Sequence, residues 1–231
     1  DIHLGGIEHI PVHHPNEIAQ SESANGVKFV NYWMHYEHLN VDGGKMSKSE
    51  GNGYVLSQVI EKGFDPLVLR YFFLQAHYRS KQNFTWEALE ASQTAFERLV
   101  NKLRELQKSS GDDQVDKGYT QKFIDALSDD FNTPAALAVA WDLLKDNSVS
   151  DKSKLATIVD FDRVFGLNLD EKVAHDNHIE ISEAVQQLLD QREQARESRD
   201  WQKSDQLREQ LKQEFGLEVK DTDAGQEYSP A

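Results

Sequence analysis

The sequence predicts a mixed α/β segment, followed by a mainly α-helical bundle and a small C-terminal segment. Val27–Trp33 is rich in β-branched and aromatic residues, which favour a strand. From Asp65 onward, apolar residues recur at helical spacing instead. The polar stretch Asp170–Asn177 is the best candidate for a linker. We therefore expect three parts, with the bounds 1–64, 65–169 and 178–231.

The first part contains three further local signals. Val41–Gly44 has the composition of a turn. His13 stands at the start of a predicted helix. Gly5 and Gly6 follow a predicted strand, where they either form a plain turn or let the backbone approach a nucleotide closely.

Helix signals follow one another along the second part. Pro66 suits the first turn of a helix, and Thr85 is placed to cap a long one. The stretch from Tyr119 to Lys145 predicts a helix pair that is broken at Asn132–Pro134. A further helix is expected from Lys152 to Phe165, ended by Gly166.

The third part predicts two helices, from about 181 to 198 and from 201 to 214, and a short β-like piece at Leu217–Val219. Its basic residues recur at intervals of four, three and four, and would form one stripe if the helix were continuous: Arg192, Arg196, Arg199 and Lys203. Such a stripe either contacts RNA phosphates or pairs with the interleaved acidic residues on a solvated helix.

The composition limits the classes of function. The chain has 231 residues, of which 38% are hydrophobic and 28% charged, as is typical of a globular protein. Its formal net charge of −15 argues against unspecific nucleic-acid binding, so any RNA contact must be local. Nothing resembles a signal peptide or a membrane span of roughly 20 apolar residues, so we expect a cytoplasmic protein without a membrane partner.

Cysteine is absent, which excludes disulfides and leaves only His and carboxylate ligands for any zinc site in this chain. His13 and Glu17 stand four residues apart on the predicted helix, so both can face one metal ion or form an ordinary surface pair.

A loop rich in lysine and serine carries the strongest chemical signal: Lys45-Met46-Ser47-Lys48-Ser49. A phosphoryl transition state spreads negative charge over several oxygens, and two ammonium groups on one short loop can stabilise it. The same composition is also found in solvated turns.

The order of these segments resembles a known family. Asp1–Glu8, His13–Ser21 and Asn31–His35 precede a loop that resembles the KMSKS signature of class I aminoacyl-tRNA synthetases, and together they resemble the cysteinyl-tRNA synthetases. The resemblance implies an α/β remnant of a class I synthetase nucleotide-binding domain. It also implies that the helical bundle and the small C-terminal anticodon-binding segment recognise tRNA.

The resemblance implies the activity of a cysteine–tRNA ligase, in which ATP with Mg²⁺ activates cysteine to cysteinyl-adenylate before transfer to tRNA(Cys). Lys48 would contact the triphosphate with the help of Lys45, and Ser47 and Ser49 would shape the loop. The ATP site would include Gly5, Gly6 and Glu8, although relatives usually carry aspartate where this chain has Glu8.

His3 would border the substrate pocket, or it is an ordinary polar residue. His13 and Glu17 would bind Zn²⁺, and His14 would adjoin the site without being a ligand. The family's two cysteine ligands are absent from this chain, so at most half a zinc site is expected.

The chain begins within a motif and without an initiator methionine. We therefore expect a C-terminal portion of a longer or split polypeptide, which needs the missing N-terminal half of the catalytic domain and does not activate cysteine alone. Two other functions remain open at this point: a cysteine ligase of the mycothiol pathway and a noncatalytic tRNA-binding module.

Overall fold

The computed structural model describes residues 1–47, 52–111, 113–174, 183–198, 200–222 and 225–230. Contacts divide the chain into two compact units, Asp1–His175 and Asp176–Ala231. The first unit contains both the α/β segment and the helical bundle. Among the described residues, no helix has the length and apolar character needed to cross a membrane.

The first unit begins with strand β1 (Ile2–Gly6), a short 3-10 turn, helix α1 (His13–Asn25) and strand β2 (Tyr32–Tyr36). The two strands pair in parallel, with His3 opposite Trp33 and Gly5 opposite His35. A strand at Val27–Trp33 was expected, but strand structure begins only at Tyr32. The bounds differ because Gly26 caps α1, and the residues after it lead the chain back to the start of β1. Pairing begins there, where the Tyr32 amide donates to the Asp1 carbonyl at 3.0 Å.

A second small sheet joins strands β3 (Leu39–Val41), β4 (Gly44–Lys45) and β5 (Gln82–Phe84). Strand β3 pairs antiparallel with β4 and parallel with β5. The predicted turn lies between β3 and β4, where Asp42 and Gly43 both have positive φ, 50° and 78°. Asn83 of β5 supports the turn by accepting a 2.8 Å hydrogen bond from the Gly43 amide. This hairpin carries Lys45.

The bundle has seven helices in its described part: α2 (Leu56–Glu61), α3 (Pro66–Leu74), α4 (Trp86–Gln107), α5 (Lys117–Ser128), α6 (Thr133–Lys145), α7 (Asp151–Phe165) and α8 (Leu169–Ala174). The expected caps are confirmed: the Thr85 hydroxyl accepts from the Ala88 amide, and Gly166 ends α7 in the left-handed conformation. Stacked Phe123 and Phe161, with ring centroids 4.0 Å apart, lie in the core.

Helix α8 corrects the predicted linker. Leu169 and Val173 stand one helical turn apart and are both buried against the bundle core. The polar composition of this stretch concealed these two apolar anchors. The linker prediction was therefore wrong for residues 170–174, while 175–177 lie outside the described residues.

The second unit contains helices α9 (Glu183–Glu197) and α10 (Trp201–Phe215) and strands β6 (Leu217–Thr222) and β7 (Gly225–Pro230). The strands form an antiparallel hairpin. Its small core consists of Val185, Leu189, Leu211, Leu217 and Val219. Asp200 caps α10 by accepting from the Lys203 amide, so α9 and α10 are separate helices.

Candidate functional site

A cluster of two histidines and a carboxylate lies where β1 meets α1. The ligand atoms of His3, His14 and Glu17 all lie within 4.8 Å of one another. His3 Nε2 is 3.0 Å from Glu17 Oε2. This oxygen is shielded from solvent and accepts no hydrogen bond of good geometry from the described residues. Imidazole nitrogens and a carboxylate oxygen that converge in this way have the donor chemistry of a zinc site.

His14 is the most buried member of this cluster and is oriented from behind by β2. Its Nδ1 lies 2.8 Å from His35 Nε2, so one ring donates the proton that the other accepts. Burial lowers the pKa of His14, with smaller contributions from the neighbouring His35 and His3. The lowered pKa favours the neutral ring, and in the tautomer whose Nδ1 donates to His35 the lone pair of Nε2 is available to a ligand.

The two glycines of β1 make room for this arrangement. A Cβ on Gly5 would lie 2.6 Å from His14 Cε1, closer than real contacts allow. A Cβ on Gly6 would lie 2.2 Å from a carboxylate oxygen of Glu8. The buried His14 ring therefore requires glycine at position 5, whereas at position 6 the neighbouring atoms are the end of an exposed glutamate that can move away.

His13 lies outside the His3–His14–Glu17 cluster. Its ring is exposed and packs at 5.0 Å from the ring of His9. Positions three and four residues before Glu17 are both its neighbours on a helix, so sequence spacing permits either histidine to approach it. The structure groups His14 with Glu17, and the ligand pair of His13 and Glu17 expected from the sequence stays a prediction.

Glu8 connects this region with the Lys45 hairpin. Its carboxylate contacts His9 at 3.2 Å and His38 at 3.5 Å. A hydrogen bond from its own backbone amide is the largest cause of its lowered pKa, and the charges of His38, His9 and Lys45 lower it further. The carboxylate is exposed and ionised, so it can accept hydrogen bonds from a polar ligand.

The described part of the lysine loop is held by Asn52. The Ser47 amide donates to Asn52 Oδ1 at 2.7 Å, and Asn52 Nδ2 donates to the Lys45 carbonyl at 3.1 Å. Lys45 itself is exposed at the end of β4. Lys48 and Ser49, which were expected to contact and shape the phosphate site, lie outside the described residues.

Three residues of this region were missed by the sequence reading: His14 as a cluster member, His35 as its partner, and Asn52. Strand alternation offered a signal for His35, because Trp33 and His35 must share the face of β2 that packs on α1. No comparable signal was available for Asn52, because its two partners are backbone groups.

The predicted basic stripe of the C-terminal unit is not a continuous surface. Arg192 is buried and bound to Asp221, and Arg196 also contacts Asp221. Arg199 lies outside the described residues, and Lys203 is exposed on the separate helix α10. The stripe prediction was wrong for Arg192, because a partner 29 residues further on takes up its charge.

Comparison with solved structures identifies the fold. The LeuRS of a ternary LeuRS–tRNA–LeuAMS complex from Agrobacterium radiobacter K84 aligns with 78% of this chain and 28% of its own, with a TM-score of 0.54 and 18% identity. At this identity the likeness shows the fold alone. The family model of the class I (C) catalytic domain of tRNA synthetases matches residues 1–94. Fold and match together define a class I aminoacyl-tRNA synthetase.

Two more family models match the rest of the chain, the DALR domain at 122–169 and the cysteinyl-tRNA ligase anticodon binding domain at 178–228. Cysteine–tRNA ligase 1 of Burkholderia lata is 45% identical over 98% of this chain and 47% of that relative. The cysteine–tRNA ligase of Chlorobaculum tepidum is 42% identical over 99% of this chain and 50% of its own length. The chain belongs to the cysteinyl-tRNA synthetase family, which confirms the resemblance, and it spans about half the length of these curated relatives.

Proposed function

We propose that this chain is the C-terminal part of a cysteine–tRNA ligase, which activates cysteine with ATP and transfers it to tRNA(Cys). The observation that carries the proposal is the His3–His14–Glu17 cluster, because it lies on the same α/β segment as the Lys45 hairpin. A ligand-binding cluster and a phosphate-binding loop are the two sites that such a reaction needs.

The roles at the nucleotide follow from charge and position. Lys48 contacts the triphosphate in the transition state of cysteine activation, Lys45 assists, and Ser47 and Ser49 shape the loop. Glu8, Gly5 and Gly6 border the ATP, which binds with Mg²⁺. The exposed carboxylate of Glu8 lies near the charge of Lys45, which supports a position at the ribose side of the same nucleotide.

The cysteine side of the site uses the histidine cluster. Glu17 holds Zn²⁺ together with ligands from the rest of the enzyme and one histidine of α1, which is His13 by the resemblance to the family or His14 by its place beside Glu17. His3 borders the substrate or contributes as a further ligand. Zn²⁺ bound at these residues would supply a soft site that prefers a thiolate to a serine hydroxyl, and so would favour cysteine as the substrate. His35 keeps the His14 ring oriented.

An uncovered sheet face supports the view that more of the catalytic domain is needed. Ile2, Leu4 and Tyr32 are 62%, 61% and 69% exposed and share the side of the β1–β2 pair that faces away from α1. Parallel sheets are almost always covered on both faces. We infer that the N-terminal half of the catalytic domain packs here, and that the chain alone does not activate cysteine.

The rest of the chain serves tRNA binding in this proposal. The helical bundle and the C-terminal unit recognise the tRNA stem and anticodon. The match of residues 178–228 to an anticodon binding domain argues against an amino-sugar acceptor of the mycothiol type, which has no anticodon. The retained lysine loop argues against a noncatalytic tRNA-binding module.

Cysteine-dependent pyrophosphate exchange in the complete enzyme tests the activation step. Lys48→Ala is expected to lower the exchange rate by about 100-fold or more, because it removes a charge that stabilises the transition state. Lys145→Ala, which removes one lysine charge from the surface of α6, is the matched control. Undiminished exchange by Lys48→Ala would contradict the assignment, and exchange by this chain alone would contradict the need for a further half.

A further inference from the structure

The side chain of Asn52 bridges two backbone groups on the near side of the lysine loop. Its Oδ1 accepts from the Ser47 amide at 2.7 Å, and its Nδ2 donates to the Lys45 carbonyl at 3.1 Å. The carboxamide thus uses one acceptor and one donor at the same time.

Within the part of the chain that the structure describes, few other contacts hold the backbone at Lys45. Strand β4 is two residues long, and Lys45 is paired with Asn40 at its end. Beyond it, Met46 borders an apolar pocket of about 140 Å³ that is also lined by Leu39, Tyr54 and Phe73. Met46 is still 37% exposed, so its apolar contact is incomplete. The two hydrogen bonds of Asn52 therefore fix the backbone at the point where Lys45 leaves the sheet.

We propose that Asn52 is a positioning residue for cysteine activation, which fixes the backbone of Lys45 and Ser47 so that the Lys45 ammonium group is preorganised toward the ATP phosphates. This inference rests on the proposed function for its catalytic consequence, whereas the hydrogen bonds stand independently of it. Charged groups stabilise a transition state best when they need not reorganise at the moment of reaction.

The first test probes the two hydrogen bonds in this chain directly and does not depend on enzymatic activity. Asn52→Ala removes both bonds, whereas Asn52→Asp keeps an acceptor for the Ser47 amide and loses the donor to Lys45. Hydrogen exchange at the Ser47 amide is expected to accelerate by about 10-fold or more in Asn52→Ala and to stay closer to the unsubstituted rate in Asn52→Asp. The Gly43 amide, which Asn83 holds, is the internal control and keeps its rate.

The second test measures pyrophosphate exchange in the complete enzyme. Asn52→Ala is expected to lower kcat by about 10- to 100-fold with a smaller change in the KM for cysteine. A misplaced Lys45 ammonium group stabilises the transition state less well, whereas the binding of cysteine does not depend on it. Asn101→Ala, which alters an exposed asparagine on α4 that accepts from Arg104, is the matched control. Equal thermal unfolding of the two variants excludes general loss of structure as the cause.

A double-variant cycle decides whether Asn52 acts through Lys45. If it does, Asn52→Ala has much less effect in a Lys45→Ala enzyme than in the unsubstituted one. The proposal is overturned if the two effects multiply independently, if Asn52→Ala leaves kcat unchanged, or if the Ser47 amide keeps its exchange rate. If the unsubstituted enzyme shows no pyrophosphate exchange, the proposed function is contradicted instead. Hydrogen exchange at the Ser47 amide still tests the contacts of Asn52 in that case.

Discussion

Arg192 of α9 and Asp221 of β6 form a bidentate ion pair inside the C-terminal unit. Nη1 lies 3.0 Å from Oδ1, and Nη2 lies 3.0 Å from Oδ2. Arg192 is only 1% exposed, and its Nη1 also donates to Gln226 Oε1 at 2.9 Å. Gln226 in turn donates to the Leu189 carbonyl at 2.8 Å. The pair therefore fastens α9 to the β6–β7 hairpin.

Removing the carboxylate of this pair is expected to cost more than removing the guanidinium. Asp221→Ala leaves a buried, unpaired Arg192 charge, which costs about 3–5 kcal/mol of unfolding free energy. Arg192→Met leaves Asp221 about a third exposed and still in contact with Arg196, so we expect about 1–3 kcal/mol. Hydrogen exchange of the β6 amides in the whole chain, followed against urea concentration, measures both losses of unfolding free energy.

Arg208→Ala is the control for these two variants, because this arginine belongs to α10 of the same unit, is 50% exposed and pairs with Asp205 of its own helix. It is expected to change the unfolding free energy by less than about 0.5 kcal/mol. Equal losses in all three variants would show that the burial of Arg192 has no energetic consequence.

A second pair predicts how the stability of the bundle depends on pH. The Tyr119 hydroxyl donates to Asp146 Oδ2 at 2.8 Å. Hydrogen bonds from the Ser148 side chain, the Ser148 amide and Tyr119 lower the pKa of Asp146 to about 2. The bond to Asp146, aided by burial, raises the pKa of Tyr119 to about 12. The pair is thus intact when aspartate is ionised and tyrosine is neutral.

The pair loses its contribution to stability at both ends of the pH scale, at acidic pH through Asp146 and at alkaline pH through Tyr119. The lowered pKa of Asp146 means that its contribution is complete above about pH 4 and is lost as the pH falls toward 2. The raised pKa of Tyr119 means that its contribution is complete below about pH 10 and is lost as the pH rises toward 12. Thermal unfolding midpoints of the chain, measured against pH, are expected to fall in both windows.

Tyr119→Phe separates this pair from other titrating groups. It should flatten the midpoint curve at alkaline pH and only partly at acidic pH, because Ser148 still binds Asp146. Asp146→Asn should flatten both windows. An unchanged alkaline slope in Tyr119→Phe would show that the hydrogen bond does not stabilise the folded chain.

Local sequence signals predicted the helices well. The start of β2 and the burial of Arg192 could not be predicted in this way, because they depend on contacts between residues far apart in sequence. Thr85 and Gly166 act through backbone groups within a few residues, so their roles as caps could be inferred from sequence. The start of β2 depends on its pairing with β1, about 30 positions earlier. Arg192 appeared to be a surface charge because its partner Asp221 lies on a different element.

The close approach of Gly5 to His14 predicts an effect of a single methyl group. Gly5→Ala places a Cβ 2.6 Å from His14 Cε1, so the ring must move away from His3 and Glu17. We expect a loss of about 1–3 kcal/mol of unfolding free energy, together with weaker zinc binding by the complete enzyme. Gly44→Ala is the matched control, because a Cβ there would meet only the Val41 carbonyl at an ordinary 3.6 Å. Similar effects of the two substitutions would contradict the steric argument.

The identity of the histidine ligand can be decided by a pair of neighbouring variants. The resemblance to the family favours His13, whereas the structure groups His14 with His3 and Glu17. If His14 is the ligand, His14→Ala lowers the zinc affinity of the complete enzyme by at least about 100-fold, because a ligand costs more to remove than a supporting partner. His35→Ala, which removes only the hydrogen-bond partner of His14, is expected to cost about 10- to 100-fold.

His13→Ala serves as the control in the same measurement, because its exposed ring packs on His9 and is not one of the three grouped residues. Zinc affinity is measured by competition with a chelator, and metal content is measured on the purified enzyme. Unchanged affinity in His13→Ala together with loss in His14→Ala assigns the ligand to His14. The opposite pattern would mean that α1 turns about its axis when metal binds, since the two histidines differ by about 100° around the helix.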